Sequence, residues 1–598
     1  MRLERANVPK EQTWDLTDLF TSTVEWEKEL KTVQKDVDEV IAFKGRLGQD
    51  AETLLTALET FESFYERLGR VATYAFLQLS VDGTNGDAQA NAAKNASALA
   101  TIESKLSFIK PELLTISEET FSQFFKQEKN LQKYKKMIDD IMEKKTYTLS
   151  PEIEETLAAL REVHDAPHMI YERSKTSDME FDPIVDEAGN KLPMSEALYE
   201  DRYEMAANTT VRRNAYDSFI RTLERYKNTF ATTYATEVTK QITIAGLRGY
   251  DSVIDMLLQP QQVTKEMYEN QLNIIQKELA PLMRRYAKLV EQDYKLDKIR
   301  FCDLKAPLDP EFNPETTYGE AKEMILDALK ILGPEYSAAM EKAFDERWID
   351  YSDNIGKQSG AFCSSPYAAH PYILLTWTDM MRGTFTLAHE LGHAGHFYLA
   401  NKYQNLFNTE PSTYFVEAPS TMNELLLADH LIEKTNDNRM KRWVISQLLG
   451  TYYHNFITHL LEAEFQRRVY ALAESGTPLT ADVLCKQKKE AIENFWGDAV
   501  AIDDGAGLTW MRQPHYYMGL YPYTYSAGLT VSTTVAEKIK AEGQPAVDRW
   551  LDVLKAGGTL RPLELIKKAG VDMSKPDAIK ATVSYVGSLI DELEKSYQ

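Results

Sequence analysis

His389-Glu390-Leu391-Gly392-His393 is the stretch of this 598-residue sequence that says most about its structure. Residues four apart lie on one face of an α-helix, so both imidazoles can reach the same metal ion, with Glu390 beside them. Apolar segments on both sides of the motif predict a partly buried helix, where two uncoordinated histidines would be unfavourable. The alternative is a surface helix with two chance histidines. We interpret the spacing as the metal-binding helix of a zinc hydrolase.

A catalytic zinc ion usually takes three protein ligands and leaves a fourth position for water. Glu417 is the predicted third ligand, because it lies among Phe415, Val416 and Ala418, and a buried carboxylate requires a cation. A salt-bridged carboxylate at the start of a helix is the alternative interpretation. Glu424, two helical turns later, shares the face of Glu417 and could orient a liganding imidazole, although an exposed helical carboxylate fits the same pattern.

The pair of motifs His-Glu-x-Gly-His and Phe-Val-Glu-Ala-Pro-Ser resembles the thimet oligopeptidase (M3) family of zinc metallopeptidases, and within it the oligoendopeptidase F branch. The similarity extends upstream through residues 356–363 and 370–375, downstream through a tyrosine-rich segment, and covers roughly residues 200 to 580. The resemblance implies that His389, His393 and Glu417 bind one zinc ion per chain. It also implies that Glu390 is the catalytic carboxylate.

Five tyrosines fall within the eleven residues from His515 to Tyr525. A peptidase needs hydrogen-bond donors for the negative charge that develops on the scissile carbonyl oxygen, and a phenol or an imidazole can supply one. The family resemblance implies that Tyr523 is the principal donor, that Tyr521 is an adjacent one and that His515 contacts the substrate. The remaining tyrosines, Tyr516, Tyr517 and Tyr525, are predicted to be core or wall residues.

The segment from Tyr372 to Thr378 is short and rich in β-branched and aromatic residues, which predicts a β-strand. A strand beside the metal-binding helix could pair with an extended peptide and bind its backbone irrespective of sequence. Gly360 and Ala361 could provide a second close approach to the substrate backbone. An ordinary structural strand fits the same pattern.

Other histidines are given structural roles. His396 lies one turn beyond His393, but four protein ligands would leave no position for water, so it is predicted to be structural or to support a ligand. His370, His454 and His459 lie in apolar stretches and are predicted to be packed core residues.

Composition limits the class of protein. The formal net charge of −23 argues against nucleic acid as a partner, because phosphate contacts need clustered lysine and arginine. Three widely spaced cysteines predict a reducing compartment, and no run approaches the roughly 18 apolar residues of a membrane span. We therefore expect a soluble cytoplasmic protein without a membrane partner. The sequence does not indicate an oligomeric state.

Helical periodicity dominates the chain and predicts a mainly α fold. Residues 166–197 are richer in proline and glycine, which places a predicted boundary between an N-terminal helical region, 1–197, and a catalytic region, 198–598. The family resemblance implies a two-lobed, zincin-like helical metallopeptidase, with a small β-sheet beside the metal-binding helix and a deep substrate channel.

The predicted function is zinc-dependent hydrolysis of internal peptide bonds in short unstructured oligopeptides, with a zinc-activated water as nucleophile and Glu390 as general base. Two alternatives stay open. A zinc hydrolase that acts on a non-peptide bond would keep the same three ligands, and a peptide-binding scaffold with an inactive site would bind peptides without cleaving them. The intact Glu390 argues against the scaffold.

Overall fold

The computed structural model describes residues 2–597, and 72% of the structure is helical. The N-terminal third contains the helices α1 (Thr23–Ile41), α2 (Ala51–Val81), α3 (Gly86–Leu106), α4 (Ile109–Thr115), α5 (Glu118–Gln127), α6 (Lys135–Glu143), α7 (Pro151–Ala159) and α8 (Arg161–Arg173). A hairpin of β1 (Ile184–Val185) and β2 (Lys191–Leu192) follows.

The middle of the chain contains α9 (Glu196–Leu198), α10 (Thr209–Arg248), α11 (Val253–Leu258), α12 (Lys265–Asp293), α13 (Tyr318–Leu329) and α14 (Pro334–Asp345), then β3 (Ile349–Asp350), β4 (Phe362–Ser364) and β5 (Tyr372–Leu374). The last third contains α15 (Met381–Tyr403), α16 (Ala418–Lys434), α17 (Asn438–Tyr453), α18 (His459–Glu474), α19 (Ala481–Trp496), α20 (Pro522–Glu542), α21 (Gln544–Ala556), α22 (Pro562–Lys568) and α23 (Asp577–Ser596). The predicted mainly α fold is confirmed.

Local sequence signals explain where several helices begin and break. Ser22 and Asp50 cap α1 and α2 by accepting a hydrogen bond from the backbone N–H three residues later. Residues 317–346 form two helices, α13 and α14, because Gly333 adopts a φ of +86° and Pro334 begins α14. The periodic segment 440–475 is likewise divided, by a π-helical turn at His454–Thr458 between α17 and α18.

The hydrophobic core has three parts. Apolar residues of α1 to α6, from Val33 to Ile138, form one cluster, and a large cluster extends from Tyr171 to Leu593. The third joins Trp14, Trp26 and other N-terminal residues to strand β5. The division between the first two clusters therefore falls before the predicted boundary at residue 197.

The β3, β4 and β5 strands form a sheet in the order β3-β5-β4, with β5 parallel to β3 and antiparallel to β4. Side chains of β5 alternate between the two cores: Tyr372 and Leu374 face the N-terminal helices, and Ile373 belongs to the large cluster. The predicted strand at 372–378 is present but ends at Leu374. The sheet thus lies between the N-terminal helices and α15.

No helix in the described part of the chain combines the length and the apolar character needed to cross a bilayer.

Helices α15 and α16 approach each other closely at Gly392. A Cβ atom built on Gly392 would lie 2.4 Å from the Pro419 carbonyl oxygen and 2.5 Å from the Ser420 Cα. Since both distances are far below van der Waals contact, only glycine is compatible with this packing. A second glycine, Gly528 of α20, approaches the other side of the same segment, where its Cβ would lie 2.9 Å from the Glu417 Cβ. The start of α16 is therefore held between two glycine contacts.

We expect Gly392→Ala to destabilise the fold by about 2 kcal/mol, because the added methyl group meets backbone atoms that cannot rotate away. Thermal unfolding measures the effect, and metal content after dialysis reports whether α16 has moved. The matched control is Gly69→Ala, at an exposed position of α2 where a Cβ has nothing within 4 Å. There alanine should raise stability by up to about 1 kcal/mol through helix propensity. Equal melting temperatures for the wild type and Gly392→Ala would contradict the packing argument.

Candidate active site

Helix α15 and the residue preceding α16 bring together the three predicted metal ligands. Glu417 Oε2 lies 3.5 Å from His389 Nε2 and 3.4 Å from His393 Nε2. One donor atom from each residue lies within 4.8 Å of the other two. The sequence places the histidines on one helix face, and the α15–α16 contact adds Glu417.

This donor set fits a zinc ion. Bonds of about 2.0–2.1 Å in a tetrahedral arrangement place neighbouring ligand atoms about 3.4 Å apart, close to the two distances observed. The side chains of His389, His393 and Glu417 are 29%, 14% and 21% exposed, so one side of the group faces solvent. Three donors with an open fourth direction are typical of a catalytic rather than a structural zinc site.

Glu424 holds His389 in place. Its Oε1 lies 2.7 Å from His389 Nδ1, which leaves Nε2 directed at Glu417, and its Oε2 accepts a hydrogen bond from the Thr451 hydroxyl at 3.0 Å. The predicted orienting contact is therefore present, with Thr451 as a further partner. Ser420 donates a hydrogen bond to Glu417 Oε2 at 3.0 Å and restricts that carboxylate in the same way.

The electrostatics of the pocket favour a cation. Burial lowers the pKa of His389, but hydrogen bonds to Glu417 and Glu424 more than offset this and hold the pKa well above its usual value. Burial raises the pKa of Glu417, whereas its two histidine partners hold the pKa well below the usual value. Two carboxylates directed at two imidazoles stabilise positive charge, which a metal ion can supply in place of protons.

Glu390 differs from Glu417 and Glu424 in its environment. It is 6% exposed, and burial raises the pKa of its carboxyl, while the two neighbouring histidines act in the opposite direction. Its negative charge contributes to raising the pKa of the Cys363 thiol, which places Glu390 near strand β4. A carboxylate with a raised pKa beside a metal-binding pair is suited to proton transfer.

Tyr523 is not at the site. It is fully buried, its hydroxyl donates a hydrogen bond to Gln261 Oε1, and its ring packs against Tyr268 and Tyr414. The donor role expected from the sequence does not fit this position, because the phenol already has a partner in the core. Helix α20 begins at Pro522, so Tyr523 points to the opposite side from residues 521 and 525.

Tyr521, Tyr525 and His515 form an aromatic group at and before the start of α20. Their ring centroids lie 5.2 to 5.7 Å apart, and all three are partly exposed. The charge of Glu417 contributes, after burial, to raising the pKa of both phenols, which places them in electrostatic reach of the metal ligands. Burial lowers the pKa of His515 to about 4, so its ring is neutral at neutral pH.

Tyr525, a predicted core or wall residue, is partly buried and lies in the wall of a cavity. The signal that could have identified it is the combination of Pro522, which favours the first turn of a helix, with the four-residue spacing between Tyr521 and Tyr525. Tyr516 is buried as expected, and Tyr517 is partly buried.

The edge strands of the sheet are β3 and β4, and β5 lies between them. Because β5 is paired on both sides, it has no free edge for a peptide, so the predicted pairing of substrate with residues 372–378 is wrong. Gly360 and Ala361 directly precede β4, and Gly360 is exposed with a φ of +85° and open space around it. Gly360 and Ala361 therefore lie next to β4, which is an edge strand.

The histidines with predicted structural roles differ in how far they are buried. His396 is fully buried, its ring packs on Phe397 and Phe415, and neither ring nitrogen has a hydrogen-bond partner among the described residues. His459 is buried as predicted, but His454 is exposed, which contradicts its predicted core position. His370 is partly buried and stacks on Trp348.

Known proteins resemble the chain over its whole length. The sequence model of Peptidase family M3 matches residues 203–585, and that of Oligopeptidase F matches residues 112–181. Oligopeptidase PepF of Bacillus subtilis is 33% identical over 99% of this chain and 88% of its own length. Group B oligopeptidase PepB of Streptococcus agalactiae is 29% identical over 99% of this chain and 98% of its own length.

Solved structures of two peptidases are similar to this chain over nearly its full length. A putative peptidase from Chlamydophila abortus superposes with a TM-score of 0.89 at 26% identity and covers 100% of both chains. Oligoendopeptidase-F from Enterococcus faecium superposes with a TM-score of 0.75 at 27% identity, over 96% of this chain and 99% of its own. The family model covers more than half of the chain and includes all the residues of the site. The chain therefore belongs to peptidase family M3 and is a metallopeptidase of the oligoendopeptidase F type.

Proposed function

We propose that the protein is a zinc-dependent endopeptidase that cleaves internal peptide bonds of short, unstructured oligopeptides, with one zinc ion per chain. The observation that carries this proposal is the set of 3.4 and 3.5 Å separations among His389, His393 and Glu417, with Glu390 in the same helical turn. When bound, zinc would supply Lewis-acid activation of a water molecule and of the scissile carbonyl group.

Glu390 is the general base in this mechanism. It accepts a proton from the attacking water and passes it to the nitrogen of the leaving amine. Burial supports this role, because it raises the pKa of the carboxyl and makes the protonated state easier to reach. Glu417 completes the ligand set with the two imidazoles, and Glu424 orients His389 through the hydrogen bond at Nδ1.

Tyr521 and Tyr525 are the donors for the negative charge that develops on the scissile carbonyl oxygen. Their phenols carry a proton at neutral pH, since burial and neighbouring charges raise the pKa of each. Neutral His515, in ring contact with both, contacts the substrate. Tyr525 thus takes the donor role that the sequence predicts for Tyr523.

The substrate backbone pairs with the outer edge of β4, and Gly360 and Ala361 provide close backbone approach at the end of that strand. Backbone pairing accounts for the binding of peptides of varied sequence. The two-lobed form and deep channel expected from the family restrict access to short chains, so folded proteins are poor substrates. The three cysteines are unpaired, which supports the predicted cytoplasmic location.

Replacement of Glu390 by Gln should leave metal binding intact but reduce turnover by about 10³-fold or more, because the general base is lost. Mass spectrometry of a mixed-length peptide pool measures cleavage, and elemental analysis measures bound zinc. A chelator applied to the wild type is the control for metal dependence. Wild-type turnover in Glu390→Gln would contradict the role of Glu390. If the zinc-loaded wild type makes no cuts, a non-peptide substrate or a binding role would be favoured.

Three tyrosine variants separate the candidate donors. Tyr521→Phe and Tyr525→Phe should each lower kcat by about 10²-fold with a smaller change in KM, since each loses a donor needed mainly in the transition state. Tyr523→Phe is the matched control: it removes a buried hydrogen bond to Gln261, which should cost about 1 kcal/mol of stability and leave kcat nearly unchanged. Steady-state kinetics on one quenched-fluorescence peptide measure kcat and KM for each variant. A larger loss of kcat in Tyr523→Phe than in the other two variants would show that Tyr523 is the principal donor.

A further inference from the structure

A second group of histidine and carboxylate side chains lies beside the active site. His459 and Glu462 lie in the first turn of α18, His454 opens the π-helical turn before it, and His515 lies in the short helical turn at Pro514–Tyr517. One donor atom each from His459, Glu462 and His515 lies within 4.8 Å of the other two. The group borders a cavity of about 400 Å³ that Tyr525 also lines.

The π-helical turn explains why two histidines meet here. The backbone N–H of His459 donates to the carbonyl of His454, five residues earlier, so both side chains lie on one side of the helix. Their Nε2 atoms are 3.0 Å apart. Isolated π-helical turns of this kind are frequent at functional sites.

The contact between His459 and Glu462 repeats the arrangement of the first site. Glu462 Oε2 lies 2.8 Å from His459 Nδ1, as Glu424 Oε1 lies 2.7 Å from His389 Nδ1. The other ring nitrogens have different partners: His389 Nε2 faces Glu417, whereas His459 Nε2 lies 3.0 Å from His454 Nε2. The His459 nitrogen beside Glu462 is therefore the one that can share an ion with that carboxylate. His459 and Glu462 are 2% and 4% exposed, and the Nδ1 atom of His515 is buried without a hydrogen-bond partner among the described residues. Buried, preoriented nitrogen donors of this type are characteristic of metal sites.

We propose that this cluster binds one divalent transition-metal cation, such as Zn²⁺, with donors from His459, Glu462 and His515. Imidazole and carboxylate donors suit zinc, cobalt and nickel.

Positive side chains around the cavity do not prevent cation binding. Arg512 forms ion pairs with Glu200 and Glu204, and Lys305 forms one with Glu204, so their charges are compensated. Lys488 forms no such pair within residues 2–597, but burial lowers its pKa to about 8.

A cation at this site engages His515 and lies beside Tyr525, since the charges of both Glu417 and Glu462 act on the Tyr525 phenol. If the proposed function holds, occupancy withdraws His515 from the substrate. Excess metal then inhibits the peptidase at a place distinct from His389 and His393.

Metal binding is tested directly on the full-length protein. After removal of bound metal, titration with Zn²⁺ or Co²⁺, followed by elemental analysis, should give two cations per wild-type chain. His459→Gln and Glu462→Gln should each weaken the second equivalent by at least about 10-fold, and the double variant His389→Ala/His393→Ala should lose the other equivalent and keep this one. His430→Gln, whose ring pairs with Asp327 outside both groups, should still bind two.

A single equivalent in the wild type at 1 mM metal, or an unchanged second equivalent in both His459→Gln and Glu462→Gln, would overturn the proposal. Circular dichroism verifies that each variant is folded, and the two substitutions at separate residues guard against a local packing defect. Peptidase assays add an independent readout: inhibition by excess Zn²⁺ should require at least about 10-fold more metal in His459→Gln than in the wild type. Because stoichiometry is measured without substrate, a failure of the proposed peptidase function leaves this test valid.

Discussion

The close contact between α15 and α16 is the constraint on which the rest of the site depends. Gly392, in the middle of the motif, has no side chain because the backbone of Pro419 and Ser420 occupies that space. This contact places Glu417 3.4 to 3.5 Å from two imidazoles that lie on a different helix. Any residue with a Cβ would separate the helices and move the carboxylate out of ligand distance. Gly528 applies the same constraint from α20.

Three glutamates near two histidines have different chemical characters because their surroundings differ. Glu417 and Glu424 accept hydrogen bonds from imidazoles and hydroxyl groups, which stabilise the carboxylate form. Glu390 lies in the same helical turn as His389 but is buried, so its carboxyl has a raised pKa. Separation of the two kinds of carboxylate by environment suits α15 to the proposed metal binding and proton transfer.

The aromatic and histidine residues between the two clusters connect them. Tyr525 stacks on His459 with a centroid distance of 4.0 Å, and it contacts His515 and Tyr521 on its other side. Ring contacts of this kind fix the donors that face the metal ligands without long flexible side chains. The geometry of the catalytic donors is therefore linked to the packing of α18 and of its π-helical turn.

The sequence by itself determined the metal chemistry, because ligand spacing within one helix is a local property: His389, Glu390 and His393 follow from helical periodicity alone. It also predicted the mainly α class and, from its apolar neighbours and the family resemblance, Glu417. It did not determine which tyrosine faces the site, because the start of α20 at Pro522 sets the direction of each side chain, and this start directs Tyr523 into the core. Strand order likewise required the tertiary structure, since pairing of β5 on both sides leaves β3 and β4 as the edge strands. The meeting of His454, His459, Glu462 and His515 depends on a π-helical turn and on packing across 61 residues of sequence. Contacts over that distance are not encoded in local periodicity, and only the folded chain shows them.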